Sequence, residues 1–199
     1  MADHYFTIAG PAVSEFKDRG SKFLGFAFPV SAGEEFKSHL TTLKTVHPKA
    51  AHYCFAYRIG TEGLVYRVSD DGEPSGSAGR PILGQVDSRK LTNVLIVIVR
   101  YFGGTLLGVP GLINAYKTTS SLALDAATIV EKAILLKYRL QFDYTRMNEV
   151  MQILKHFDCA IFKNETMLFC SIEAGIPKKN VEEVVGRFRD LRGVEVDSG

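Results

Sequence analysis

Residues 93–100, NVLIVIVR, decide the fold. From Val94 to Val99 every side chain is aliphatic, so neither face of this segment can be given to water. A strand of that kind sits in the middle of a sheet and is covered on both sides. The run is far shorter than the roughly 20 apolar residues a membrane helix needs. A glycine-rich loop follows, YFGGTLLGVPG at 101–111, and then a long helical pattern reaching about Ala127. That helix is rich in Ala, Ser and Thr, which predicts close packing on the sheet.

Working back toward the N-terminus, SKFLGFAFPV (21–30) has the aromatic content of a strand. Ser31 followed by Glu34 is a capping-box pattern, with Phe36, Leu40 and Leu43 at helical spacing and His47-Pro48 as the stop. His52 to Ile59 sets Tyr53, Phe55, Tyr57 and Ile59 on one face of a strand. Gly60-Thr61-Glu62-Gly63 then turns the chain into a second strand, Leu64 to Val68. A second loop, SDDGEPSGSAG (69–79), precedes a short helix with Pro81 in its first turn.

Beyond about Glu131 the pattern changes. Strand Ala133–Tyr144, helix Met147–His156 and strand Cys159–Lys163 are followed by a turn at Asn164-Glu165. Strand Thr166–Ala174, a helix opened by Pro177 and ended by Gly193, and strand Val194–Val196 complete the order βαββαβ, the ferredoxin-like split unit. The expectation is an α+β protein of two domains, 1–130 and 131–199.

Composition sets the limits on function. The 199 residues carry a net charge of +2, so bulk charge does not select a polyanion. Charge is uneven, however: residues 80–117 hold Arg80, Arg89, Lys90, Arg100 and Lys117 against one acid, Asp87. Cys54, Cys159 and Cys170 are an odd number without close spacing and predict buried thiols, not a disulfide or a zinc site. Neither a metal nor any other cofactor is expected. MADHYFTIAG has no basic stretch leading into an apolar one, which predicts no signal peptide and a cytoplasmic protein.

Any chemistry is expected in the two glycine loops. Each precedes a helix start, where unpaired N–H groups and the helix dipole attract anions. Ser75, Gly76, Ser77, Gly79 and Arg80 in the first loop, with Arg100, Gly103, Gly104, Gly108 and Lys117 around the second, form a candidate anion or nucleic-acid site. Asp70, Asp71, Glu73 and His52 form a second candidate group, for magnesium or as a polar cluster. Tight turns between close-packed elements explain the glycines equally well. Neither loop is a P-loop or a dinucleotide fingerprint, and GSAG lacks the spacing of a nucleophile elbow. Tyr53, Phe55 and Tyr57 fit either a base-stacking face or a core.

DDGEPSGSAGRPIL (70–83) followed by VRYFGGTLLGVPGL (99–112) resembles the paired signature of the YigZ/IMPACT family, supported by SKFLGF (21–26) and AHYCFAY (51–57). The resemblance spans about residues 15–127. It implies an N-terminal β-α-β fold shared with a ribosomal-protein domain and the GHMP group of small-molecule kinases. It also implies a C-terminal ferredoxin-like domain similar to those of elongation factor G. The family has no well-established enzymatic activity. Its eukaryotic members regulate translation by binding an activator of an initiation-factor kinase through an extra N-terminal domain, which this chain is expected to lack. The leading expectation is therefore a translation-associated binding protein that contacts RNA, the ribosome or a translation factor. The competing expectations are a protein-interaction module without nucleic acid, and an enzyme acting on a phosphorylated small molecule.

Overall fold

The structure is a computed structural model describing residues 2–167 and 169–199. The chain divides into two compact units, Tyr5–Lys132 and Ala133–Gly199, the latter joined by the residues up to His4.

The first unit is built on a five-stranded sheet, every neighbouring pair antiparallel. Two strands open the chain, β1 (His4–Ile8) and β2 (Ala12–Asp18), followed by β3 (Ser21–Pro29), helix α1 (Glu35–Val46), β4 (His52–Ile59) and β5 (Val65–Ser69). Helix α2 (Gly79–Ser88), β6 (Val94–Tyr101), α3 (Gly108–Asp125) and β7 (Ile129–Ala133) complete it. The order is β2-β3-β6-β4-β5, so the all-aliphatic strand is the central one, and β1 pairs with β7 in a separate ribbon.

Strand β6 is covered on both sides, as its sequence requires. Val94, Ile96 and Ile98 face a core shared with Ile82, Val86, Leu112, Ala115 and Tyr116 of α2 and α3. Leu95, Val97 and Val99 face a second core with Phe36 and Leu43 of α1. Tyr53, Phe55 and Tyr57 lie in that second core at 9%, 4% and 8% exposure. Tyr53, Phe55 and Tyr57 are packing residues and offer no open face to a nucleic-acid base.

Glycines and small residues let α3 sit close to the sheet. A Cβ at Gly25 would fall 2.5 Å from Ser14 Oγ and 2.9 Å from Thr119 Cγ2. Buried Thr119 and Ser120 satisfy their hydroxyls by donating to the carbonyls of Ala115 and Tyr116, both at 2.7 Å. At the start of α1 the reciprocal acid is Glu35, not Glu34. Its Oε1 accepts from the backbone N–H groups of Ser31 and Ala32 and from the Ser31 hydroxyl. Glu34 instead meets Lys37 on the surface.

The second unit runs β8 (Leu135–Phe142), α4 (Met147–His156), β9 (Ala160–Thr166), β10 (Cys170–Pro177), α5 (Val181–Asp190) and β11 (Val194–Ser198). Its sheet is ordered β11-β8-β10-β9. Inward residues Leu140, Phe142, Cys170, Ile172, Ala174 and Ile176 pack on Val150, Leu154, Val184 and Phe188 of the two helices. The expected turn at Asn164-Glu165 is not there: both residues continue β9, because cross-strand pairing with Ile172 and Ser171 extends the ladder. Position 168 of the predicted Thr166–Ala174 strand lies outside the described residues. Pro177 ends β10, and a short 3-10 turn intervenes before α5. On the uncovered sheet face, Lys137 and Arg139 meet Glu173 at 2.7 and 3.5 Å, and Lys163 meets Glu165 at 2.7 Å.

Two glycine substitutions should behave in opposite ways. Gly84 is in the interior of α2 and exposed, with nothing within 4 Å of the point a Cβ would occupy. Gly84→Ala should raise stability by about 0.5–1 kcal/mol in urea unfolding, because it removes unfolded-state entropy from a helical site. A Cβ at Gly103 would fall 1.9 Å from the Gly20 carbonyl carbon and 2.2 Å from Ser21 N. Gly103→Ala should cost more than about 3 kcal/mol in the same measurement.

Candidate functional site

Both glycine loops leave the same end of the five-stranded sheet. His52 at the start of β4 is the register partner of Arg100 near the end of β6, which in turn is the register partner of Phe23 near the start of β3. The loop of residues 70–78 follows β5, beside β4. One interaction ties the loops together. Glu73 Oε1, from the first loop, accepts from Arg100 Nη1 at 2.5 Å and from the Tyr116 hydroxyl at 2.7 Å. Both charged side chains are nearly sealed, at 4% exposure for Glu73 and 5% for Arg100. The guanidinium lies 5.4 Å from the Phe23 ring and 5.7 Å from that of Phe102, within range of a cation–π interaction. Its Nη2 reaches Ser21 Oγ at 3.5 Å, and that oxygen also accepts from the Gly103 N–H at 3.2 Å. Arg100 Nε has no partner among the described residues.

A second carboxylate organises the first loop. Asp70 accepts from the N–H of Gly76 at 2.8 Å, Ala78 at 3.0 Å and Gly79 at 2.8 Å. Burial pushes the Asp70 carboxyl up, but the three N–H bonds and the Arg80 charge outweigh it and hold it below its ordinary 3.8. The helix-start amides that the sequence offers to an external anion are thus taken by the protein's own aspartate. Gly76 adopts a left-handed φ of +76° and turns the loop so that these donors converge. Ser77 is buried and donates to the Pro74 carbonyl at 2.6 Å, while Ser75 and Arg80 are exposed.

Asp71 and His52 close the same end. Asp71 Oδ2 accepts from Tyr53 N at 2.6 Å, and its carbonyl is 2.8 Å from His52 Nδ1. A carbonyl only accepts, so Nδ1 carries the proton and Nε2 is left facing Glu73 Oε1 at 3.8 Å. The predicted quartet Asp70, Asp71, Glu73 and His52 is therefore one polar cluster. Each acid is engaged by donors, and no set of three ligating side chains suited to a metal ion occurs among the described residues.

The second loop is different. Gly103, Gly104 and Gly108 are exposed, and Gly104 and Gly108 have φ of +85° and +70°. Around Gly104 there is open space. Lys117 is exposed on α3 next to buried Tyr116. Of the predicted anion-site residues, the structure buries Arg100, Ser77 and Gly79 and leaves Ser75, Arg80, Gly103, Gly104, Gly108 and Lys117 on the surface.

Sequence reading missed Tyr116, Cys54 and Ser21. Tyr116 was the available signal, as the sole aromatic in a helix of small residues. Cys54 Sγ donates to the Asp70 carbonyl at 3.0 Å and lies 3.3 Å from the Tyr116 oxygen. Burial pushes both the Cys54 thiol and the Tyr116 phenol far up, with the neighbouring acid charges adding to it. Both shifts favour the protonated forms. Cys159 is pushed up to about 11 by burial.

The fold and site define a scaffold that spends its buried charge on holding two loops and shows a glycine-rich ridge to solvent. Residues 19–124 match the Impact N-terminal domain, and the chain belongs to the IMPACT family. It is 30% identical over 185 residues to the IMPACT family member YigZ of Escherichia coli (strain K12), covering 92% of this chain and 91% of the relative. It is 34% identical over 155 residues to the IMPACT family member YvyE of Bacillus subtilis (strain 168), covering 78% and 71%. Among solved structures, a crystal structure described as that of an hypothetical protein superposes with a TM-score of 0.80 at 27% identity, covering 100% of this chain and 98% of that one.

Removing one partner of a sealed ion pair leaves the other charge uncompensated. Glu73→Ala should therefore cost about 3–5 kcal/mol in chemical unfolding, and the double change Glu73→Leu with Arg100→Met should recover most of it. The depressed Asp70 carboxyl gives a stability contribution fully present above pH 3.8 that is lost as pH falls through the lower folded-state value. Asp70→Asn should weaken that acid-side loss, read from melting temperatures along a pH series.

Proposed function

We propose that this protein is a translation-associated binding protein, contacting RNA, the ribosome or a translation factor through the exposed second loop and the bases beside it. Residues 1–130 would be the IMPACT-type domain, with a GHMP-like core, and 131–199 a ferredoxin-like domain. Membership of a family whose eukaryotic members regulate translation supports the reading. So does the strand order of the second unit, fourth-first-third-second, which is that of a ferredoxin-like sheet.

The observation that carries it is the partition of charge in the first unit. Arg100 and Glu73 neutralise each other inside, so they are not the groups that meet a ligand. Arg80 and Lys117 stay exposed and make no ion pair among the described residues. Of the predicted anion site, the part open to a ligand is Ser75, Arg80, Lys117 and the backbone of Gly104 and Gly108, since Asp70 occupies the amides of Gly76 and Gly79 and Ser21 Oγ that of Gly103.

The test is co-sedimentation with ribosomes and binding to RNA at low and moderate salt. Binding at low salt should weaken as salt rises, and Arg80→Ala with Lys117→Ala should weaken it at both. Absence of any ribosome or RNA binding at low salt, together with no retention of purified translation factors, would remove the reading. Arg100→Ala is the wrong probe, because it would leave buried Glu73 without its cation and disturb the site it reports on.

A further inference from the structure

The second glycine loop and the first turns of α3 carry large apolar side chains that the chain leaves uncovered. Leu106 is 81% exposed, Phe102 52%, Val109 46% and Ile113 38%. Val109, Ile113 and Lys117 recur every four residues, so they line one face of α3 over about 12 Å. The opposite face, with Leu112, Ala115, Tyr116 and Thr119, is buried in the core. Exposed apolar side chains grouped on one loop and one helix face are the kind of surface that partners bind.

Two exposed bases on the helices of this unit make no ion pair among the described residues, Lys117 on the ridge's own face of α3 and Arg80 at the start of α2. The charged residues of α2 and α3 are Arg80, Asp87, Lys117 and Asp125, with Arg89 just past α2. Asp87 is held by Arg58 at 2.7 Å, and Asp125 by Arg89. Of the charged residues within the two helices, only Arg80 and Lys117 make no ion pair among the described residues, and the Arg80 charge acts on the Asp70 carboxylate from beyond ion-pair distance. The two bases lie toward the same end. Tyr116 reaches Glu73 in the loop before α2, and Arg89 after α2 reaches Ser121 and Asp125, so the two helices run in the same direction.

We propose that this ridge docks an amphipathic helix of a partner protein, its apolar stripe flanked by Asp or Glu that meet Arg80 and Lys117. The inference rests on the binding-protein reading above and names the contact at this surface. Apolar side chains at three- and four-residue spacing on a helix match the groove of another helix. Flanking acids supply the charge complementarity. A polyanion such as RNA would meet the two bases and leave Leu106, Val109 and Ile113 without a role.

The test titrates the full chain with two synthetic helical peptides of about eighteen residues sharing one leucine stripe, one flanked by glutamate and the other by lysine. A single-stranded RNA is titrated in parallel. The glutamate peptide should bind roughly tenfold more tightly than the lysine peptide, with amide shifts in NMR confined to the 102–117 ridge. Arg80→Glu with Lys117→Glu should reverse that preference. Leu106→Ser, at a position too exposed to affect folding, should weaken the glutamate peptide without changing the melting temperature. Equal affinity for the two peptides, shifts elsewhere, binding of RNA alone, or self-association that covers the ridge in place of the peptide would overturn the proposal. Should the peptides fail while wild-type protein still sediments with ribosomes, this inference falls and the function stands. Should ribosomes, RNA, factors and peptides all fail, both fall.

Discussion

The Glu73–Arg100 pair is the constraint on which the first unit depends. Each partner belongs to a different loop, and the same carboxylate oxygen also takes the Tyr116 hydroxyl from α3. One oxygen thus joins the loop after β5, the end of the central strand and the long helix. Two sealed charges need each other, since either alone would forfeit its hydration without compensation. The pair is therefore weak evidence for net stability and strong evidence for fixed geometry. It sets where the second loop begins, and the Gly20–Gly103 backbone contact sets where it goes next.

Asp70 completes the arrangement by acting as an internal anion. A helix start with converging N–H groups is a general anion trap, and here it is filled by a carboxylate nine residues before Gly79. That arrangement satisfies the loop's three donors whether or not anything binds. It also leaves any ligand-facing role to the second loop, where open space surrounds Gly104. Two loops that look alike in composition therefore do different work: one is closed on itself, and the other is presented.

The fold was legible wherever hydrophobic pattern alone decides it. The double-sided apolar run 94–99 can only be central, and the βαββαβ order of residues 135–198 follows from periodicity and turn residues. Legibility failed where partners distant in sequence decide. Asn164-Glu165 has turn composition, yet pairing with β10 holds it in a strand. Glu34 has the capping-box spacing from Ser31, yet α1 begins only at Glu35, and Glu35 is the acid that accepts from the Ser31 and Ala32 N–H groups. At the site, the sequence identified both loops and most of their polar residues. It could not assign Arg100 to the interior, because an arginine beside glycines reads the same whether its partner is a ligand or a glutamate 27 positions upstream.

That last distinction governs how the family signature should be understood. Arg80, Phe102, Leu106 and Val109 of the two motifs are exposed, whereas Glu73, Gly79, Arg100 and Gly103 of the same motifs are buried, paired or pressed against backbone. The latter are the ones a folding requirement would hold fixed. The groups free to meet a partner, Phe102, Leu106, Val109, Ile113, Arg80 and Lys117, surround that frame and owe it their positions. The buried residues of the signature then set the scaffold, while its exposed residues, with Ile113 and Lys117 beyond it, would set the docking chemistry. Specificity among such scaffolds would follow from the size and charge of side chains along the ridge, since a mismatch there costs affinity without disturbing the fold.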